Sequence, residues 1–445
     1  MSGRIDIAVI GGGPAGLAAA IAADKAGAKT LLVEREARLG GILKQCIHDG
    51  FGLLRFGEKL SGPEYAFKDI EALGQTTVEV KLLTFVTRIE KCEGFFRLTL
   101  VGALGIETVE TRALILSTGC RERTARQIAI HGTRPAGVIT AGAAQYYTNI
   151  LGQLPCKRCV ILGSGDIGLI MARRLTLEGA KVIGVYEAKP TPSGLSRNIA
   201  QCLEDFDIPL YTSRTVTRVF GRERLEAVEI ASVDEKMRPI PGTTERIACD
   251  GLILSVGLIP ENELAESLGV PLENPARGPI CDQHYETLID GIFSCGNALQ
   301  VNDLADYVSE SGECAGRYAA DFAVCLKNTD EKNISNSGIS SKRIFAKLSG
   351  GRDFLSLVPQ RLNINNIEDD TTIFFRAREE RGGTRIRAFA GEKEIFSKTY
   401  NQLRPPEMER ITLKLKNLRL GEGDVIQFIM EDAPVAQGGE WRVEG

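Results

Sequence analysis

Asp6-Ile-Ala-Val-Ile10 and Gly11-Gly-Gly-Pro-Ala-Gly16 form the stretch that decides the fold, and after an apolar run they are followed by Thr30-Leu-Leu-Val-Glu34. This order predicts a strand, a glycine turn, a helix and a second strand. In that form, backbone N–H groups and the positive end of a helix approach a pyrophosphate closely enough to bind it. An acid at the end of the second strand accepts hydrogen bonds from ribose hydroxyls. The stretch therefore predicts a nucleotide site, whose candidate contacts are Gly11, Gly13, Gly16 and Glu34.

The same plan occurs a second time in the middle of the chain. Cys159-Val-Ile-Leu-Gly163-Ser-Gly165-Asp-Ile-Gly168 runs into a predicted helix, and Lys181-Val-Ile-Gly-Val-Tyr-Glu187 ends in an acid. Such an acid repels a 2′-phosphate and accepts from a 2′-hydroxyl, which favours NAD(H) over NADP(H). Arg197, in the following loop, leaves room for the phosphate as an alternative. The candidate contacts of this second site are Gly163, Gly165, Gly168 and Glu187.

Three later apolar strands also end in glycine. They end at Gly119, at Gly257 and at Gly296-Asn297, and bare backbone at such ends lets a cofactor lie against it. A helix is predicted from about Leu304 to Leu326. Its N-terminus would offer a positive dipole end to an anionic ring.

The composition limits the function classes. The 54 Lys plus Arg residues nearly balance the 58 Asp plus Glu residues, so no nucleic-acid or anionic-membrane partner is indicated. Eleven cysteines is an odd count for a disulfide framework and favours reduced thiols, hence a cytoplasmic protein. We expect no signal peptide, because the N-terminal apolar stretch is interrupted by the glycine turn. We expect no transmembrane helix, because no uncharged apolar run of 18 residues occurs elsewhere.

The loop after Glu34 contains the candidate catalytic residues. Its two adjacent glycines, Gly40 and Gly41, let the main chain pass close to a flat or bulky group, and Cys46 and His48 follow. One interpretation is an active-site loop with Cys46 and His48 in catalysis. The other is a glycine-rich connection in which Cys46 is merely packed and His48 merely solvated.

The predicted fold is α/β, with two Rossmann-like three-layer dinucleotide-binding domains, one inserted in the other, and a C-terminal all-β sandwich. Polar, turn-rich residues 329–340 read as a linker, and alternating strands follow. The sandwich is expected to be a docking or dimerisation module, or else a stabilising cap. The expected domains are 1–152 with 281–328, 153–280, and 341–445.

The set of motifs resembles the two-dinucleotide-binding flavoproteins of the pyridine nucleotide-disulfide oxidoreductase superfamily, which contains glutathione reductase, thioredoxin reductase and NADH oxidases. The resemblance covers roughly residues 4 to 328. It implies FAD at the first site and NAD(H) at the second, with Gly296 and Asn297 near the ribityl chain. The family usually has Asp at the position of Asn297, so the negative charge is lost here. The further cofactor contacts expected are Arg35, Gly41, Gly119 and Gly257.

A closer resemblance lies in the segments Gly40 to Gly52, Gly119 to Arg123, Gly132 to Gly137 and Gly163 to Arg173. These are similar to bacterial FAD-dependent oxidoreductases that accompany an anaerobic-type glycerol-3-phosphate dehydrogenase. Such proteins are related to the FAD subunits of dye-linked proline dehydrogenase, opine oxidase and hydrogen cyanide synthase. The kinship implies an oligomer that passes electrons between NAD(H) and a partner dehydrogenase, sometimes with NADH oxidase activity.

The implied chemistry is hydride transfer between nicotinamide and flavin, with Cys46 and His48 as candidates for the other flavin face. One alternative is a dithiol reductase that uses Cys156 and Cys159, which have CxxC spacing. Another is an electron-transfer or structural subunit without a substrate site of its own. A metal site is not expected, because one CxxC and three dispersed histidines do not supply four ligands.

Overall fold

A computed structural model describes residues 4–274, 277–328, 343–367, 370–416 and 418–433. It contains two compact units: the first comprises Met1–Leu43, Asp49–Gly119 and Pro260–Gly445, and the second comprises Lys44–His48 and Cys120–Ile259. The predicted linker at 329–340 lies outside the described residues.

The strands up to residue 119 are β1 (Ile5–Ile10), β2 (Thr30–Val33), β3 (Asp49–Phe51), β4 (Leu60–Ser61), β5 (Glu79–Lys81), β6 (Phe85–Cys92), β7 (Phe95–Gly102) and β8 (Gly105–Leu116). Those from 120 to 260 are β9 (Cys120–Glu122), β10 (His131–Gly132), β11 (Val138–Thr140), β12 (Arg158–Leu162), β13 (Lys181–Tyr186), β14 (Leu210–Tyr211), β15 (Arg214–Phe220), β16 (Ala227–Ser232), β17 (Glu245–Ala248), β18 (Gly251–Leu254) and β19 (Leu258–Pro260). The later strands are β20 (Ile292–Ser294), β21 (Phe345–Ser349), β22 (Phe354–Val358), β23 (Arg361–Asn363), β24 (Asp370–Ala377), β25 (Arg381–Ala390), β26 (Lys393–Leu403), β27 (Glu409–Lys414) and β28 (Val425–Asp432).

The helices are α1 (Pro14–Lys25), α2 (Gly62–Leu73), α3 (Ala141–Asn149), α4 (Asp166–Leu177), α5 (Ser196–Cys202), α6 (Glu263–Ser267) and α7 (Ala305–Asn328). None of these described helices is both long enough and apolar enough to cross a membrane.

The first unit is organised around a sheet in the order β5-β2-β1-β8-β7-β6, with β20 also paired to β8. Pairing is parallel among β5, β2, β1, β8 and β20, and antiparallel from β8 through β6. The strands β1 and β2 are buried throughout, as parallel strands covered on both faces are. Helices α1 and α7 pack on this sheet with the core residues Leu17, Ala19, Ala315 and Ala319.

The second unit repeats that plan with the parallel sheet β11-β18-β12-β13-β14, next to a smaller sheet, β10-β15-β16-β17. Both Rossmann-like sheets confirm the predicted α/β class. The unit boundaries differ from the predicted domain boundaries, because residues 120–152 lie in the second unit and residues 260–280 in the first. The physical reason is strand pairing: β11, which lies well before residue 153, pairs with β18 of the second sheet.

The C-terminal region is the predicted β-sandwich. Its two sheets have the orders β23-β21-β28-β25-β26 and β22-β24-β27. Their inward residues form one apolar core, which includes Ile373, Phe375, Ile386 and Phe428.

Candidate functional site

Two glycines of the first turn, Gly11 and Gly16, are required by the protein's own backbone. Gly11 has φ +106°, and a β-carbon there would lie 2.4 Å from the carbonyl oxygen of Ser117. A β-carbon on Gly16 would lie 1.8 Å from the carbonyl oxygen of Gly11. Neither position tolerates a side chain, because real β-carbons do not approach backbone atoms so closely. Gly11 therefore lets the end of β1 approach the residue after β8, and Gly16 lets helix α1 approach the end of β1.

Gly13, the middle glycine of the GxGxxG pattern, is not crowded in this way. The nearest atom to a β-carbon there would be the Cα of Gly41, at 3.8 Å. Gly41 has φ +53°, and its own β-carbon would lie 2.9 Å from the Cα of Gly13, so the two backbones form a bare cradle. Protein packing alone does not require glycine at position 13. A phosphate group held against the N-terminus of α1 would require it, because the backbone must come close to such a group.

Glu34 lies beside this cradle with its carboxylate buried. It accepts hydrogen bonds from Gly12 N at 2.6 Å and from Glu36 N at 2.8 Å. Each carboxylate oxygen has a further lone pair that can accept from a ribose hydroxyl. The neighbouring Arg35 points elsewhere, and its guanidinium pairs with Glu261 at 3.2 Å on the surface.

The residues that follow strand β20 lie next to the start of helix α1. Gly296 has φ +61°, and a β-carbon there would lie 2.7 Å from the Cβ of Ala15 in the first turn of α1. Its N–H donates to Ser311 Oγ at 2.9 Å. The side chain of Asn297 accepts from Asn302 N at 3.0 Å. Gly119, with φ +73°, has no atom within 4 Å of its added β-carbon, which leaves bare backbone at the end of β8.

The glycines of the second turn differ from one another in the same way as those of the first. A β-carbon on Gly163 would lie 2.0 Å from the carbonyl oxygen of Ser255, and one on Gly168 would lie 2.5 Å from that of Gly163. At Gly165 the nearest atom is Ser255 Oγ, at 3.8 Å. A β-carbon on Gly257 would likewise lie 3.8 Å from its nearest atom, Arg123 Nε. The second unit therefore also has a bare cradle at the N-terminus of a helix.

The carboxylate of Glu187 accepts more hydrogen bonds than that of Glu34. It accepts from Ser164 N at 3.0 Å, from Ser164 Oγ at 2.6 Å, from Ser193 Oγ at 3.2 Å and from Lys189 N at 3.0 Å. The carboxylate is buried beside the glycine turn. Sequence reasoning missed both serines. Ser164 could have been found from its place inside the motif, whereas Ser193 reaches Glu187 from a loop that carries no such signal.

Cys46 and His48 follow a short 3-10 helix, Gly41–Gln45, and both are half-buried. Residues 44–48 belong to the second unit, where Gln45 Nε2 donates to Gly142 O at 2.8 Å and the Cys46 thiol donates to Gln145 Oε1 at 3.9 Å. Burial raises the pKa of the Cys46 thiol to about 12. The thiol is therefore neutral near pH 7, which does not favour a nucleophile. Gln45 and Gln145 were not singled out by the sequence.

Cys156 and Cys159 are free thiols, both buried in the second unit. A hydrogen bond from the Cys159 thiol lowers the pKa of Cys156, while the same bond and burial raise that of Cys159. With 3% and 0% of their surfaces exposed, the two thiols offer no access to a disulfide substrate.

Comparison with known proteins agrees with this arrangement. Residues 5–312 match the model of the pyridine nucleotide-disulphide oxidoreductase family, so the chain belongs to that family. It is an FAD-dependent oxidoreductase whose cofactors are FAD and a nicotinamide dinucleotide. The residues of the first unit fit FAD, because an open cradle at Gly13, a buried acid and the end of β20 meet at the start of α1.

One of the opine oxidase subunits of Agrobacterium tumefaciens is 27% identical over 378 residues, which are 80% of this chain and 72% of the relative. The HcnB subunit of hydrogen cyanide synthase from Pseudomonas protegens is 28% identical over 289 residues, 59% of this chain and 58% of the relative. Thioredoxin reductase of Lactococcus lactis has a similar fold, with a TM-score of 0.61, 23% identity, and coverage of 72% of this chain and 99% of that one. The predicted kinship with the subunits of opine oxidase and hydrogen cyanide synthase is thus confirmed.

Proposed function

We propose that this protein exchanges hydride between NAD(H) and FAD and passes electrons to or from a partner dehydrogenase resembling glycerol-3-phosphate dehydrogenase. The observation that carries the proposal is the repeated open cradle, at Gly13 in one unit and Gly165 in the other. In each turn, the first and last glycines of the GxGxxG pattern are required because a side chain there would clash with protein backbone. The middle glycine has no such reason, and a bound ligand would supply one. Two such cradles, each with a buried acid, suit two dinucleotides.

The residues of the chain bind and orient, and bound FAD supplies the two-electron chemistry that side chains lack. Glu34 would accept from the adenosine ribose at the first site. The N-terminus of α7 would stabilise negative charge placed near it. Cys46 and His48 stay candidates for a wall of the reaction site, with His48 as a proton carrier.

Glu187 supports NAD(H) as the preferred nicotinamide cofactor. Its carboxylate is fixed by hydrogen-bond donors of the turn and the following loop, so it cannot swing away from an approaching 2′-phosphate. A buried negative charge facing a phosphate is strongly unfavourable. A 2′-hydroxyl, in contrast, can donate to the carboxylate.

The proposal of a partner rests on the named relatives, which are subunits of opine oxidase and hydrogen cyanide synthase. Motif resemblance in the segment Gly40 to Gly52 favours a partner of the glycerol-3-phosphate dehydrogenase kind. Oxygen or dyes would serve as acceptors when the partner is absent, as in an NADH oxidase. The second candidate function, favoured by the same relatives, is a non-autonomous electron-transfer or structural subunit.

An anaerobic titration of the FAD-loaded single chain with NADH tests the proposal, with the flavin band at about 450 nm as the signal. We expect bleaching with NADH and much slower bleaching with NADPH. The Gly165→Val variant is the matched control, since it should keep its flavin and fail to bleach. A wild-type chain that stays oxidised with both nucleotides would contradict the proposal and favour the non-autonomous subunit.

A further inference from the structure

The outer face of strand β24 is covered, although an outer face of a sandwich would ordinarily meet solvent. Ile373 and Phe375 point into the sandwich core, as the alternation of a strand requires. Phe374 points the other way and is nevertheless only 1% exposed. Two consecutive buried phenylalanines mean that both faces of this strand are covered.

Helix α7 of the dinucleotide-binding part covers that face. The ring of Tyr307, in the first turn of α7, lies 5.2 Å from the ring of Phe374. Arg410, the cross-strand neighbour of Phe374 on β27, has its guanidinium 5.8 Å from the Tyr307 ring and pairs with Glu310 at 2.6 Å. Tyr307 and Glu310 are three residues apart, so they lie on one face of the helix.

Asp303, just before α7, is held by the sandwich through both carboxylate oxygens. One oxygen pairs with the guanidinium of Arg376, and the other accepts from Met408 N at 2.6 Å. Arg376 also donates to Val301 O at 3.0 Å. The side chain of Arg376 is 13% exposed and that of Asp303 is 34% exposed, so the arginine is shielded from water while the acid is only partly so. Hydrogen bonds between two charged groups are stronger than those between neutral groups.

The segment held in this way leads directly to the first dinucleotide site. Asn302 N donates to Asn297 in the turn after β20. On the other side of α7, a β-carbon on Gly312 would lie 2.1 Å from the carbonyl oxygen of Ala15, in the first turn of α1. Residues 297–312 are thus confined between the sandwich on one side and the start of α1 on the other.

We propose that Arg376 and Arg410 are positioning residues for FAD, and that the C-terminal sandwich is an intramolecular clamp that holds residues 297–310 in the FAD-binding conformation. The two arginines act through Asp303 and Glu310 and need not touch the cofactor. The proposal rests on FAD at the first site and assigns a role to the sandwich that does not depend on the identity of any partner.

The test is FAD affinity, measured by titrating the full-length apoprotein of the Arg376→Met and Asp303→Asn variants. We expect each variant to bind FAD about tenfold more weakly, because each removes one charge of the pair that joins the sandwich to the segment before α7. The double variant should be little worse than either single one, since the pair acts as a unit. Arg376→Lys, which keeps the charge, should recover part of the affinity.

The matched control is Arg381→Met, which removes an ion pair between two residues of the sandwich, Arg381 and Asp353. It should bind FAD like the wild type. Hydrogen exchange of the apoproteins should show faster exchange in residues 297–310 for Arg376→Met, and unchanged exchange in the core strands β24 and β28. That pattern separates positioning from general destabilisation.

Wild-type FAD affinity in both Arg376→Met and Asp303→Asn would overturn the proposal, as would an equal loss in Arg381→Met. If the Arg376 variants do not fold, Arg410→Met is tested instead, because it removes the contacts of Arg410 with α7 and keeps those of Arg376. Wild-type FAD affinity in Arg410→Met, or an equal loss in Arg381→Met, would then overturn the proposal. Failure of the clamp is distinguishable from failure of the proposed function, because the latter is judged by NADH bleaching of the wild-type chain.

Discussion

Gly312 of helix α7 packs directly on the carbonyl oxygen of Ala15 in α1, which would lie 2.1 Å from any β-carbon at position 312. One turn later, Gly316 makes the same approach to Ala19 O at 2.2 Å. The two glycines let the helix backbones come close, and this places the start of α7 next to the first glycine turn.

Gly312→Val should therefore push α7 away from α1. We expect a loss of about 1–3 kcal/mol or more in the free energy of unfolding, because the backbone cannot yield as a side chain does. Thermal unfolding of the apoprotein measures it. Gly382→Ala is the control, since its β-carbon would lie 4.0 Å from the nearest atom, Asn401 O. Equal stability of the two variants would show that the helices separate freely.

Gly13→Val and Gly165→Val should separate the two dinucleotide sites. At both middle glycines an added β-carbon would make only an ordinary contact, 3.8 Å from the nearest atom, so both variants should fold. A branched side chain would fill the cradle, and Gly13→Val should lose FAD while Gly165→Val keeps it but is not reduced by NADH. The flavin content after purification and the bleaching by NADH are the measurements. Normal flavin in Gly13→Val would refute the assignment of the first site.

Glu187→Gln should relax the choice of nicotinamide cofactor. The substitution keeps the shape and removes the charge that faces the 2′-position, so the preference for NADH over NADPH should fall about tenfold. The ratio of the two kcat/KM values for flavin reduction measures it. The paired variant Ser193→Ala, which removes one hydrogen bond to Glu187, should change the ratio less. An unchanged ratio in Glu187→Gln would mean that another group sets the preference.

Cys46→Ala should retain NADH-dependent flavin reduction within about threefold of the wild type, because a thiol with a pKa of about 12 is not a thiolate at pH 7. Stopped-flow reduction under anaerobic conditions is the measurement. Cys156→Ser provides the comparison for the buried thiol pair and should behave in the same way. A hundredfold loss confined to Cys46→Ala would instead support a catalytic thiol.

Asp282 should make the stability of the first unit depend on pH. Burial raises the pKa of this carboxyl group to about 6, although it accepts from His284 N at 2.9 Å and from Glu286 N at 3.2 Å. A raised folded-state pKa means that the stabilisation is fully present below the unfolded pKa of about 3.9 and is lost as the pH rises through about 6. The free energy of unfolding should thus decrease from pH 4 to pH 7.

Asp282→Asn removes the ionisation and keeps the acceptor oxygen. Its stability relative to the wild type should increase by about 2–3 kcal/mol between pH 4 and pH 7, the equivalent of a two-unit shift. Denaturant unfolding at the two pH values measures this difference. Burial, together with the charge of Asp282, raises the pKa of Glu286 to about 7, so the loss of that charge in Asp282→Asn changes the difference in the same direction. A difference that is constant with pH would contradict the assignment.

Much of the fold followed from local patterns. The glycine turns at Gly11 and Gly163 are visible in sequence because turn, helix and strand signals all lie within about thirty residues of one another. The helix predicted from about Leu304 is found at Ala305–Asn328, and strands such as β24 and β28 alternate as their sequences do. Phe374 beside Phe375 was the one local sign that β24 is covered on both faces.

By itself, the sequence determined the two glycine turns that open helices, the acids that follow them and the β character of the C-terminal region, since each depends on neighbours along the chain. Only the tertiary structure decided that β11 joins the second sheet, that Ser193 holds Glu187, and that Arg376 holds Asp303. These relationships join residues far apart in sequence, and they depend on which faces pack together. No periodicity or spacing encodes that choice, because burial is settled by the whole fold at once.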